Sequence, residues 1–127
     1  MAGRPPLPID QQVTFLDTRD LARAADFYER VLGLRLARDQ GTVRIYHVCG
    51  SAYLGFCQRD DAPDPAPRVV LTLVSDRVDE WFGRLRAHGV EIVKEPADNP
   101  PYRIYNGFAR DPSGYLIEIQ RFWEPLE

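Results

Sequence analysis

Few side chains in this sequence have both the type and the setting for chemistry, and Glu118 stands first among them. It is a carboxylate in the middle of an apolar run, between Ile117 and Ile119. The preceding Asp111-Pro112-Ser113-Gly114 reads as a tight turn, in which Pro112 pre-sets φ and Gly114 tolerates a left-handed conformation. On a strand after that turn, Leu116, Glu118 and Gln120 share one face; Tyr115, Ile117 and Ile119 share the other. A carboxylate so placed either meets water or lines a cavity. In a cavity it can accept from a ligand's polar or cationic group, or act as a general base.

The other candidates are weaker. His47 falls in a strand, on a face opposite Tyr46 and Val48. His88 falls in the last turn of a helix, where an imidazolium suits the dipole. Neither belongs to a ligand cluster, and both are expected to be structural. Cys49 and Cys57 are not spaced as Cys-x-x-Cys and make no disulfide framework, so they are read as reduced thiols. No nucleophile elbow, phosphate-binding loop or Cys–His pair is present.

The elements that must position Glu118 are punctuated by Gly, Pro and Asp. Residues 1–11 are a Pro-rich lead-in, and 13–16 read as a short strand. Asp20 caps a helix to about residue 32, with Leu21, Ala24, Ala25, Tyr28, Val31 and Leu32 on one stripe and Gly33 as its stop. Strands are predicted over 34–37, 42–49 and 52–58. Residues 59–67, rich in Pro and Asp, form a linker. The pattern then repeats. A strand over 69–74 leads to a helix from Asp76 with Val78, Trp81, Phe82 and Leu85 on its buried stripe, stopped by Gly89. Arg44-Ile45-Tyr46 recurs as Arg103-Ile104-Tyr105, and Tyr53-Leu54-x-x-x-Gln58 recurs as Tyr115-Leu116-x-x-x-Gln120.

The expected fold is therefore α+β: two βαβββ modules forming a curved mixed sheet, with a cleft between them. The first spans 1–58 with its lead-in, the second 68–127 with its tail, in one structural domain. With one helix per module to cover one sheet face, the other face must curl around something or meet its twin. That favours the cavity reading of Glu118. Phe15, Tyr46, Tyr53, Tyr102 and Tyr105, with Trp123 beside them, are expected to face inward and offer flat apolar surface to a planar ligand. Pro100-Pro101-Tyr102 would form a stiff lip, and Arg44 and Arg103 are expected to point outward.

Composition narrows the partners. At 127 residues, 44% hydrophobic and 28% charged, this is an ordinary globular chain. A net charge of -3 with scattered basic residues argues against nucleic acid or an anionic membrane. No apolar run has the length of a signal sequence or a membrane span, and a cytoplasmic location is expected.

Asp20-Leu21 with 26–34 (Asp-Phe-Tyr-Glu-Arg-Val-Leu-Gly-Leu), and the second helix with 111–118 (Asp-Pro-Ser-Gly-Tyr-Leu-Ile-Glu), resemble the vicinal oxygen chelate superfamily. That group contains glyoxalase I, bleomycin-resistance proteins, fosfomycin-resistance enzymes and extradiol dioxygenases, on one scaffold with unrelated chemistries. Its metal-dependent members imply ligands at Val13, at Gly55 or Phe56, at Val70 and at Glu118. Only Glu118 carries a donor, and one-residue slips bring in Gln12 and Thr14, or Val69 and Leu71. One carboxylate does not hold a divalent ion, so no metal and no cofactor are expected. The resemblance thus implies a metal-independent binding protein of the bleomycin-resistance kind. It would be a homodimer sequestering a small aromatic or planar molecule at Phe15, Tyr46, Tyr53, Gly55, Tyr102, Tyr105 and Glu118. The alternatives are a lyase, isomerase or dioxygenase relative using Glu118 as base or partial metal ligand, and a regulatory or interaction module.

Overall fold

The computed structural model describes residues 7–126; residues 1–6 of the expected lead-in, and Glu127, lie outside the described residues. The chain begins with strand β1 (Gln12–Thr18), on which Leu16 and Thr18 are buried while Phe15 and Asp17 are exposed. Asp20 caps the next helix as expected, its carboxylate accepting from the Arg23 amide at 3.0 Å. Helix α1 (Leu21–Asp26) widens into a π-helical turn (Phe27–Val31). This differs from the single regular helix predicted over 20–32. The wider turn rotates the buried stripe, so that Phe27 joins Tyr28 and Val31 in the core. Gly33, at φ 73°, ends the helix.

Strands β2 (Arg35–Asp39), β3 (Val43–Cys49) and β4 (Ala52–Gln58) complete the first sheet, in the order β1-β4-β3-β2. The β1–β4 pair is parallel and the others antiparallel. No strand or helix occupies the linker, yet it is tied down: Ala62 is buried, and its carbonyl accepts from Arg19 Nε at 2.5 Å.

The second unit runs β5 (Val70–Val74), α2 (Val78–Ala87), β6 (Ile92–Asn99), a 3-10 turn (Pro100–Tyr102), β7 (Ile104–Arg110) and β8 (Leu116–Phe122). Its sheet has the matching order β5-β8-β7-β6. Asp76 does not cap α2. The helix starts two residues later, with Arg77 at its cap and no side-chain cap bond, and Asp79 and Glu80 complement the dipole in its first turn. Val78, Phe82 and Leu85 are buried beneath it, as the spacing predicts, while Trp81 of the same predicted stripe is only half-buried. Pro96 sits in β6, an edge strand that can spare its amide.

The fold is thus α+β, two βαβββ units, with two four-stranded sheets in place of one continuous sheet. Their helix-covered sides share one core that joins Tyr28, Tyr46 and Phe56 to Phe82, Leu85, Ile117 and Ile119. Polar ties cross the same junction. Tyr28 donates to Asp111 Oδ2 at 2.7 Å, Tyr115 to the Asp17 carbonyl at 2.8 Å, and Arg84 Nε to the Val31 carbonyl at 2.6 Å. Asp111 Oδ1 also takes the Ser113 and Tyr115 amides, both at 2.9 Å, so the Asp-Pro-Ser-Gly turn is both a hairpin and a clamp. Among the described residues, no helix is long and apolar enough to cross a membrane.

Candidate functional site

Helices cover one side of each sheet, which leaves an open side. Residues directly paired across strands share a side, so the register decides which side chains meet there. On the first sheet, Val13 pairs with Tyr53 and Phe15 with Gly55 on β4, while Ile45 and His47 of β3 pair with the same two β4 residues. Phe15 is 53% exposed, and its ring covers the Gly55 backbone: a Cβ at Gly55 would stand 2.4 Å from Phe15 Cδ1. Glycine here is a condition for that ring position. The His47 and Tyr53 rings meet edge-on at 5.2 Å, and His47 Nε2 lies 2.8 Å from the Gly50 carbonyl. Cys57 occupies the same side; burial, reinforced by Asp17, pushes its thiol up and keeps it from serving as a ready thiolate.

The open side of the second sheet is built differently. Glu118 pairs with Thr72 on β5 and with Phe108 on β7. Thr72 Oγ1 donates to Glu118 Oε1 at 2.8 Å, and Asn106 Nδ2 donates to Oε2 at 2.8 Å. Lys94 Nζ, from β6, donates to the Asn106 carbonyl at 2.9 Å and to its Oδ1 at 3.2 Å. Asn106 is only 3% exposed, although it lies on the open side. A groove of ≈ 260 Å³ runs between the two units where β1 and β4 approach β5, with Tyr53, Val70 and Thr72 on its wall.

Four of the predicted residues lie on these open sides: Phe15, Tyr53 and Gly55 together on one, Glu118 on the other. Two do not. Tyr46 is fully buried on the helix side, in the aromatic group with Tyr28 and Phe56, and its hydroxyl donates to Glu29 Oε2 at 2.8 Å. Burial, with Glu29 as acceptor, pushes its phenol up. Tyr105 also faces the helices; its hydroxyl donates to Asp79 Oδ1 at 2.5 Å and Arg121 stacks on its ring at 5.0 Å. The reason is strand parity: Tyr46 pairs with buried Leu54, and Tyr105 precedes Gly107, beneath which Phe82 of α2 inserts. Arg44, two residues from Tyr46, shares its side and does not point away from it. Tyr102 is on neither sheet face but on the 3-10 turn, 75% exposed. Trp123 follows β8, held by Asp98 at 3.2 Å and overlain by Arg103 at 5.2 Å.

The metal positions implied by the resemblance can be tested the same way. Val13, Gly55, Val70 and Glu118 all fall on open sides, each valine paired two residues ahead of Gly55 or Glu118 on its partner strand. Phe56 is fully buried in the core, so Gly55 is the positional counterpart of Glu118, one residue off the match of Tyr53-Leu54 to Tyr115-Leu116. Three of the four positions carry no donor atom, and among the described residues no group of three His, Cys, Asp or Glu converges. The residues present do not fit a metal ion.

Thr72, Asn106 and Lys94 are absent from the sequence-based site. The signal for Asn106 was available: the tight turn at 111–114 sets the hairpin register, which places Asn106 beside Gln120 and diagonal to Glu118. Thr72 comes from a strand whose register no short turn fixes, and the register shifts on either side of Lys94 in the β6–β7 pairing displace it from the register its turn would set.

Comparison with known proteins agrees with this architecture. No curated protein matches the sequence at a significant level. Among solved structures, a lactoylglutathione lyase from Agrobacterium tumefaciens is 27% identical over 93% of this chain and 96% of its own, with a TM-score of 0.71. TioX from Micromonospora sp. ML1 is 26% identical over 87% and 97%, with a TM-score of 0.74. A bleomycin resistance determinant encoded on the transposon Tn5 shares the fold, at 21% identity over 90% and 98% and a TM-score of 0.74. The family profile described as Glyoxalase/Bleomycin resistance protein/Dioxygenase superfamily matches residues 11–119. With most of its length inside that match and its two βαβββ units in place, this chain belongs to the glyoxalase/bleomycin resistance protein/dioxygenase superfamily.

Proposed function

We propose that the protein binds a planar aromatic small molecule and holds it unchanged, as a sequestering protein does. The observation that carries this reading is Phe15 lying on Gly55. Where a metal-dependent relative would present a ligand, this chain presents an aromatic ring over a bare backbone. Stacking on such a surface supplies affinity without chemistry. Glu118, held on the opposite sheet by Thr72 and Asn106, supplies a fixed acceptor. Tyr53 belongs to the same site; Tyr46 and Tyr105, with their hydroxyls spent on Glu29 and Asp79, do not.

The site is completed in a homodimer. Val13, Phe15, Val70 and Val74 leave 37%, 53%, 40% and 60% of their surfaces exposed on the open sides of the single chain. Apolar faces of this kind are usually covered, and a second copy offers the same faces in return.

Similarity to the lactoylglutathione lyase favours a second reading, an enzyme with Glu118 as general base. Titration of the purified protein with a panel of planar natural products, followed by calorimetry and by product analysis, separates the two. Stoichiometric binding with unchanged ligand is the expected result. Turnover by the wild type that disappears in Glu118→Gln would establish the enzyme.

A further inference from the structure

Glu118 is held more tightly than a simple acceptor needs, and the way it is held specifies what it can take. Its two donors come from the two flanking strands, Thr72 on β5 to Oε1 and Asn106 on β7 to Oε2. Each carboxylate oxygen has two lone pairs, so each keeps one free. Donors on both flanks leave those free pairs directed away from the sheet. What remains is a pair of acceptors side by side, the complement of a planar fork of two N–H groups.

Lys94 fixes the sense of this array. An ammonium only donates, so Asn106 Oδ1 must face Lys94 and its Nδ2 must face Glu118. Asn106 is only 3% exposed, so its amide has no water to turn toward. Both donors to Glu118, the Thr72 hydroxyl and the Asn106 amide, are neutral, which leaves the carboxylate's charge for a ligand.

We infer that the Lys94–Asn106–Glu118–Thr72 array recognises a planar cation with two parallel N–H donors, an amidinium or guanidinium group carried on an aromatic body, with Lys94 and Asn106 as positioning residues. The inference rests on the proposed binding function and names the class of ligand that the same site selects. Phe15 takes the flat body and Glu118 the fork.

The test is an NMR titration of the full-length protein with benzamidine and with benzamide, which has nearly the same shape but is neutral and has a carbonyl oxygen in place of the fork's second nitrogen. Wild type is expected to prefer benzamidine by about tenfold or more, as a hydrogen bond to a charged group implies. Glu118→Gln should abolish that preference. Lys94→Met, which frees the Asn106 amide to turn, should shrink it by about threefold or more, and Lys94→Arg should keep it. A purely structural role for Lys94 would weaken both compounds equally and leave their ratio unchanged, which would overturn its assignment. Asn106→Leu should likewise shrink the preference; should it fail to fold, Thr72→Val removes the other donor and is read in the same way. Equal affinity of wild type for the two compounds would overturn the inference while leaving the aromatic site standing. Binding of neither would overturn the binding function with it.

Discussion

The two sheets have the same strand order and the same pairing pattern, yet their open sides do opposite things. The first presents Val13, Phe15, Tyr53 and Ile45, an apolar floor. The second presents Thr72, Glu118, Asn106 and Lys94, a polar array carrying charge. Each sheet also places a central glycine under an aromatic ring, but on opposite sides. Gly55 receives Phe15 from within its own sheet on the open side; Gly107 receives Phe82 from α2 on the helix side. Duplication of a scaffold copies positions and parity, while a single side chain at the matching position decides what each copy is for. With Gly55 in place of a carboxylate, the first sheet makes room for a ring. With Glu118, the second needs donors on both flanks.

The glycines offer the sharpest way to break this comparison. A Cβ at Gly107 would lie 2.6 Å from Phe82 Cζ and 2.8 Å from the Lys94 backbone oxygen, neither free to move. Gly107→Ala should therefore destabilise the protein by about 1–3 kcal/mol in urea unfolding. Gly55→Ala meets first the ring of half-exposed Phe15, which can swing outward. Its stability should stay within about 0.5 kcal/mol of wild type, as for an ordinary surface change, while affinity for a planar aromatic falls. Equal destabilisation by both would show that Phe15 belongs to a packed core and that the first open side is no floor.

The next effect concerns the clamp that sets the two units against each other. Tyr28→Phe leaves Asp111 Oδ2 buried without its partner, and should cost about 1–2 kcal/mol in the same assay. A neutral result would mean that water replaces the hydroxyl and that the junction is looser than its packing implies.

Removing single groups from the two sides of the first sheet should separate stability from binding. Phe15→Ala is expected to weaken calorimetric binding of a planar aromatic by about 1 kcal/mol, with little change in thermal midpoint. Tyr46→Phe loses a hydrogen bond to Glu29. It should lower stability by about 1 kcal/mol and leave affinity untouched. Exchange of those two outcomes would reverse the assignment of sides.

The smallest expected effect is one of slope. Burial dominates Asp111 and lifts its carboxyl above the ordinary 3.8, against hydrogen bonds from Tyr28 and from the Ser113, Gly114 and Tyr115 amides that pull it down. A carboxyl with a raised folded value binds its proton more tightly in the folded chain. Its contribution is then fully present below the unfolded value and is lost as pH rises through the folded one. The stability advantage of wild type over Asp111→Asn, followed by urea midpoint, should shrink as pH rises from below 3.8. An advantage that grows with pH would mean that the hydrogen bonds outweigh burial.

Much of the scaffold can be read from local chemistry alone. Asp20 and Gly33 bracket the first helix because a carboxylate caps amides and glycine takes a positive φ. The 111–114 turn and the alternation after it place Glu118 on the face opposite Tyr115, Ile117 and Ile119, because side chains on a strand alternate whatever surrounds it. The repeat of strand, helix and three strands predicts paired βαβββ units, and the matched helix bounds set their phase. These features depend on residues within a few positions of one another, which is why sequence determines them.

What tertiary structure alone decided is which side of each strand the helices cover. Tyr46 and Tyr105 have the composition of binding residues and the parity of core residues, and only the packing of α1 and α2 distinguishes the two. The π-helical turn that rotates Phe27 inward likewise answers to tertiary packing. Gly55 or Phe56 as the counterpart of Glu118 was a one-residue ambiguity that the parallel pairing of β1 with β4 resolves. The Thr72–Glu118–Asn106–Lys94 array joins four strands, of which β5 is in register only through a long connection and β6 carries register shifts on either side of Lys94. Strand alternation sorts side chains into two sets from sequence, but it assigns neither set to the core: that choice is made by whichever face buries more apolar surface against the helices.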